Sequence, residues 1–213
     1  GIGDVGAFSL YANKLVTTGE GGIVTTNDPE IARRARLLRN HAFSPERHFW
    51  HTMVGFGYKM TNHQAAVGVG QVERFAELLA KKQVVTDAYG MWLVSIPGLT
   101  LPPQKPDRTN TFWMFGVLVG SKHFGMDKNE LRRRLAARGI ETRSFFVPIH
   151  VKPVYRHLFA EENYPVAEAL CHDGLYLPSS TTLTKKDIGR VIETIKRIRP
   201  IRPISQSDQS MKK

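Results

Sequence analysis

With 213 residues and 41% apolar composition, the chain has enough material for one sizeable domain or two small ones and can bury a core. No run of about 18 apolar residues offers a bilayer span, no charged-then-apolar leader points to export, and the lone Cys171 excludes an internal disulfide, so reduced cytoplasm is the default compartment. The net charge of +11 raises nucleic acid as a partner, but Arg33, Arg34, Arg36 and Arg39 fall on one expected helix and Arg132, Arg133, Arg134 and Arg138 on another, without interleaved aromatics, so solvated helix faces are expected instead.

In chain order, Ala7 to Tyr11 reads as a short strand, and Gly19 to Gly22 supply a turn whose backbone angles other residues resist. Between them stands Lys14. An amine on a flexible stem at a strand's exit, sheltered by Phe8 and Tyr11, is a candidate nucleophile toward a carbonyl. Ser9 offers a hydroxyl to a phosphate. Ile23 to Thr26 is β-branched and predicts a second strand. Asp28 and Pro29 then open a helix that turns Ile31, Ala35, Leu37 and Leu38 inward.

Residues 40 to 60 lack a clean period and hold five aromatics and three histidines, the mark of a functional loop or interface segment. His48 and His51 are three apart, but no carboxylate or cysteine joins them in a ligand spacing, and no metal is expected. Thr61 and Gln64 form a capping box before a long core helix through Ala65, Val69, Val72, Phe75 and Leu79. Ile96-Pro97-Gly98 stops it, and Pro102, Pro103 and Pro106 make a stiff connection.

The second half reads as a sheet-and-helix module: a buried strand over Phe112 to Val119, a helix from Asp127 to Arg138 ended by Gly139, and a strand over Ile140 to Phe146. Cys171-His172-Asp173 are three neighbours whose side chains do not converge into a nucleophilic triad. Thr184 to Arg199 is a last amphipathic helix burying Ile188, Val191, Ile192 and Ile195, and the polar tail is expected to be disordered.

Four segments carry a family resemblance. The pattern Gly3-Asp4-(x)3-Phe8-Ser9-(x)3-Asn13-Lys14-(x)3-Thr18-Gly19-Glu20-Gly21-Gly22 resembles the cofactor-lysine segment of the DegT/DnrJ/EryC1/StrS family, aminotransferases that use pyridoxal phosphate on nucleotide-linked keto-sugars. The segment Arg47 to Asn62 resembles especially its perosamine-synthase-like branch, and Thr142 to Tyr155 and Cys171 to Ser179 match later stretches in the same order.

The resemblance implies an α/β chain, the C-terminal part of a type I aminotransferase fold. Residues 1–95 would complete the cofactor domain and its linking helix, residues 96–200 would form a small α/β domain, and residues 201–213 a tail. It implies that Lys14 binds the cofactor covalently and then works as base and acid, with Ser9 and Asn13 as further cofactor contacts. Arg143 and His150 become candidate substrate contacts. Related sugar dehydratases have histidine at the lysine position, so Lys14 favours transamination. The implied partners are a nucleotide-sugar, an amino-acid donor (usually glutamate) and a second copy of the chain in a homodimer.

Two departures stand out. Gly57 occupies the place of the family's Asn, whose amide reaches the cofactor phosphate of the other subunit, and Lys59 stands where Arg is common. The carboxylate that partners the cofactor nitrogen and the phosphate-binding loop lie upstream of the lysine in the family. Asp4 matches a different position, so the chain is expected to be the C-terminal part of a longer enzyme. The alternative is a short non-catalytic homologue that acts as an interaction or dimerisation partner.

Overall fold

In the computed structural model, which describes residues 2–200, Asp28 accepts hydrogen bonds from the Glu30 and Ile31 amides at the start of α1 (Pro29–Arg39), with Pro29 in the first turn as expected. The expected tail lies outside the described residues. The chain divides into two compact units, residues 1–79 and 80–213, with the division inside helix α3 (Phe75–Leu93).

In the first unit, β1 (Gly6–Ser9) pairs antiparallel with β2 (Gly22–Thr25), register Gly6 to Thr25 and Ser9 to Gly22. The expected first strand therefore stops two residues early, because the Leu10 N–H turns to the Gly21 carbonyl while its own carbonyl receives the Thr18 amide, both at 2.9 Å. Ile31, Ala35, Leu37 and Leu38 of α1 are half-buried, and its four arginines are exposed. Residues 40–58 double back on the end of α1: Phe56 N–H donates to Leu38 O (2.7 Å) and Tyr58 N–H to Arg39 O (2.9 Å). Three non-glycine residues of this loop, His41, Ala42 and Phe49, take positive φ, a strained conformation for side-chain-bearing residues.

The capping box forms as expected: Thr61 Oγ1 accepts from the Gln64 amide and Gln64 Oε1 from the Thr61 amide, opening α2 (Asn62–Glu73). Two expectations need correction here. The long helix breaks at Arg74, whose guanidinium pairs with Glu77 in α3. Moreover, α2 is no core helix in this chain, because Val67, Val69 and Val72 are each more than half exposed and only Gly68 is buried. Helical spacing selects which residues share a face and leaves open what covers that face.

The second unit holds a four-stranded antiparallel sheet in the order β3 (Leu99–Thr100), β4 (Phe115–Val119), β6 (Gly174–Leu177), β5 (Arg143–Ser144). Alternation along β4 sends Phe115, Val117 and Val119 to one face. They join Val85, Tyr89 and Leu93 of α3 in a single core. Leu131 and Leu135 of α5 (Lys128–Ala136) enter the same core, as do Ile188, Val191, Ile192 and Ile195 of α7 (Lys185–Ile198). Between β4 and α5 runs the short helix α4 (Ser121–Phe124), whose Phe124 is fully buried.

α5 and α7 start where expected and are capped by Asp127 and Thr184, and Gly139 takes the positive φ of 68° that ends the turn after α5. The expected strands are shorter than their apolar runs. β4 begins at Phe115 because Phe112 has a left-handed backbone, and the run from Ile140 yields only the two residues of β5. Unforeseen in the sequence is α6 (Pro165–Asp173), which places Cys171, His172 and Asp173 at the end of a helix. The late strand β6 follows it at once, and among the described residues no helix is long and apolar enough to cross a membrane.

Candidate active site

Lys14 sits on the turn that leaves β1. Its amide donates to the Tyr11 carbonyl at 2.9 Å, closing a tight turn over residues 11–14. The return path is held by hydroxyls. Thr17 Oγ1 donates to Leu10 O (3.0 Å) and accepts from the Gly19 amide (2.9 Å), while Thr18 Oγ1 donates to Glu20 O (2.7 Å). Gly19 and Gly21 take positive φ of 81° and 149°, which accounts for two of the glycines expected to shape this turn. A Cβ on Gly21 would lie 2.5 Å from Thr18 Oγ1 and 2.6 Å from Met60 Cε, so the space is closed to any larger residue.

The turn is also tied to α2. Gln64 Nε2 donates to Glu20 O at 3.2 Å, and a Cβ on Gly68 would stand 2.9 Å from Thr18 Cγ2. The buried Thr18 thus fills the notch left by a glycine in the helix. The small residues of α2 permit this close approach, although the rest of the helix is uncovered.

Ser9 closes β1, and Asn13 and Lys14 lie on the turn that follows it. Ser9 is exposed, and its Oγ accepts the Tyr11 amide at 3.3 Å, which leaves the hydroxyl proton to donate. Asn13 is exposed and Lys14 half-buried. The expected shelter from Phe8 and Tyr11 is not provided, since these rings are 58% and 47% exposed. Their strand has no layer packed against it within the unit, which explains why side chains read as a cover are open.

The loop carrying Gly57 is packed around Phe43, whose ring meets His41, His48, Phe49 and His51 at centroid distances of 4.7–5.5 Å. The His41 ring lies against Gly57, where a Cβ would come within 2.9 Å of Cε1. Among the described residues no group of three or more histidine, cysteine, aspartate or glutamate side chains is arranged to hold a metal ion.

Arg143 and His150 lie in the second unit. Arg143 faces Tyr176 across the β5–β6 ladder, with its guanidinium 5.7 Å over the Phe146 ring. Arg143 and Tyr176 line a cavity of about 690 Å³ with Thr142, Asp187 and Arg190. Burial raises the Tyr176 phenol above its ordinary pKa, and the Arg143 charge pulls in the opposite direction. Phe145 stacks on Tyr176 at 4.4 Å, over Gly116 and Gly174, where any Cβ would strike the Phe145 ring.

His150 stands in a single 3-10 turn (Ile149–Val151) after Pro148, as expected of a proline-directed turn. Its ring packs on Tyr164 at 4.7 Å, and Nε2 lies 3.0 Å from Glu168 Oε1 of α6.

Sequence reasoning passed over Lys82. This residue of α3 is buried, and its ammonium donates to Trp113 O and Ser179 Oγ, each at 3.2 Å, and to Ser179 O. Desolvation pushes its pKa down to about 8. Tyr89, seven positions along the same helix, donates to Pro178 O at 2.7 Å. The pair fastens the segment after β6 to α3. The only signal available in the sequence was a polar residue in line with the apolar stripe.

Residues 1–196 match the model of the DegT/DnrJ/EryC1/StrS aminotransferase family. The chain is 40% identical to the GDP-perosamine synthase of Caulobacter vibrioides, over 92% of this chain and 53% of that protein. Among solved structures it resembles the aminotransferase TlmJ from Streptoalloteichus hindustanus (TM-score 0.82, 28% identity, 92% of this chain and 52% of that one). It also resembles DesI, solved in the presence of its TDP-sugar product (TM-score 0.79, 28% identity, 92% and 50%). The chain thus spans about half the length of the relatives it matches. With the family model covering all but its last residues, and with a mixed α/β fold shared with solved sugar aminotransferases, the chain belongs to the DegT/DnrJ/EryC1/StrS aminotransferase family.

Proposed function

We propose that this chain is the lysine-bearing part of a cytoplasmic, pyridoxal-phosphate-dependent aminotransferase. Its substrate is a nucleotide-linked keto-sugar of the 4-keto-6-deoxyhexose type, its amino donor glutamate, and its working form a homodimer. One observation carries the reading. Lys14, within the family's cofactor-lysine pattern, is half-buried on a braced turn with the exposed Ser9 hydroxyl at the same strand end. That arrangement fits the group: an amine for its aldehyde, a hydroxyl for its phosphate, and glycines where a larger residue would block the backbone path.

Pyridoxal phosphate, when bound, supplies an electron sink for negative charge at the carbon bearing the transferred nitrogen. The chain's own residues do the rest. Lys14 Nζ would anchor the group and, once the donor's amine has displaced it, would take the proton from the donor's α-carbon and later deliver one to the sugar carbon that receives nitrogen. The Ser9 O–H would hold the phosphate, and Asn13, one residue from the amine, would make a further contact to the group. In the second unit, Arg143 and His150 are assigned to the nucleotide-sugar, the guanidinium suiting an anionic diphosphate.

The short non-catalytic homologue is a second reading, favoured by the exposed valines of α2 and by Gly57, whose missing amide removes a hydrogen bond worth about 1 kcal/mol. Isotope transfer separates the two. Incubation with pyridoxal phosphate, [15N]glutamate and a GDP-linked 4-keto-6-deoxyhexose is expected to give the labelled amino-sugar, and Lys14→Ala to abolish transfer while leaving circular dichroism unchanged. Equal transfer by Lys14→Ala would overturn the role given to the lysine.

A further inference from the structure

His150 and Glu168 are 18 positions apart in sequence, yet Nε2 of one lies 3.0 Å from Oε1 of the other. The imidazole is mostly enclosed, its side chain 12% exposed, whereas Glu168 is 53% exposed. The start of α6 holds the ring at two points: Tyr164, just before the helix, packs on its face at 4.7 Å, and Glu168 in the first turn takes its edge. A carboxylate oxygen only accepts hydrogen bonds, so the hydrogen must reside on Nε2 of His150. Whichever protonation state the ring adopts, its Nε2 is committed to α6.

We propose that Glu168 is a positioning residue that locks His150 in the Nε2–H tautomer, so that Nδ1 is the nitrogen offered to the substrate. The inference rests on the substrate role given to His150 above and adds how that role is specified. A neutral imidazole with Nε2–H donated inward accepts at Nδ1, which suits a sugar hydroxyl. Without the carboxylate the ring is free to exchange tautomers or to flip about its χ2 torsion, and the acceptor is presented only part of the time. The logic matches that of a carboxylate fixing an imidazole beside a metal or a serine nucleophile, applied here to a ligand contact.

The test reads the ring directly. Long-range 1H–15N spectra of the 15N-labelled 213-residue chain should show His150 with hydrogen on Nε2 and a bare Nδ1 above the pH at which the ring loses its second proton. Glu168→Ala should give an averaged tautomer signal, and Glu168→Asp and Glu168→Gln should recover the locked pattern in part. Affinity for the GDP-linked keto-sugar should fall about fivefold in Glu168→Ala, the size of one hydrogen bond. The exposed position of Glu168 lets all three variants fold, and the wild-type spectrum stands by itself as a check. A His150 tautomer unchanged in Glu168→Ala, or hydrogen found on Nδ1 in the wild type, overturns the proposal. An intact lock with unchanged sugar affinity in His150→Ala would overturn the substrate role beneath it instead.

Discussion

The two units use apolar residues in opposite ways. In the second, helices α3, α5 and α7 close over one face of the sheet, and the large side chains of Tyr89, Phe115, Phe124, Leu131 and Leu135 are fully enclosed. In the first, Leu10 and Ala42 are the buried apolar residues, while Phe8, Val24, Phe49, Val67 and Val69 stand open. Both carry a similar density of apolar residues in the sequence. What differs is whether a second layer exists to receive them. The second unit therefore has a core that reports on its own stability, and the first holds the turn that carries Lys14 by backbone and hydroxyl hydrogen bonds.

The largest effect that would break this comparison is cavity formation. Leu135→Ala should cost about 2–5 kcal/mol in denaturant unfolding, whereas Val69→Ala on α2 should stay within about 0.5 kcal/mol. Comparable losses from the two would show that the first unit also has a closed core.

Next in size is Lys82. Lys82→Met strands the Ser179 and Trp113 carbonyls and should cost about 2 kcal/mol near neutral pH. The amine titrates at about 8 when folded and near 10.5 when unfolded, so between these values the unfolded chain holds more protons and stability should rise with pH. Denaturation midpoints measured from pH 7 to 10.5 should show that rise in the parent chain and lose it in Lys82→Met. A parent curve that falls across the window would contradict the burial of a charged amine here.

The smallest effects come from the paired caps. Thr184→Ala should lower the unfolding free energy of the second unit by about 1 kcal/mol. Thr61→Ala removes the same motif from α2 and should appear chiefly as faster amide exchange in the first turn of that helix.

Features settled by local chemistry were legible in the sequence. Asp28 and Thr61 cap the helices expected of them, and Gly19, Gly21 and Gly139 take the positive φ that turns require. The strands came out short where one residue diverts its hydrogen bonds, at Leu10 and at Phe112. Helix α6 escaped notice because its residues follow a proline and present a half-buried stripe against β4 and β6 rather than a deep one. The same rule holds in the site. Ser9 at the end of β1 and Asn13 and Lys14 on the turn after it are near in sequence and could be grouped from it, whereas the contact of His150 with Glu168 and the burial of Lys82 join residues from separate elements.

The central claim is that Lys14 is the lysine that carries the cofactor. Its most direct test is to incubate the chain with pyridoxal phosphate, reduce with borohydride and locate the adduct by peptide mass spectrometry. Stoichiometric modification is expected on the peptide containing Lys14, and its loss in Lys14→Ala. Labelling spread over the other lysines, with Lys14 unmodified, would contradict it.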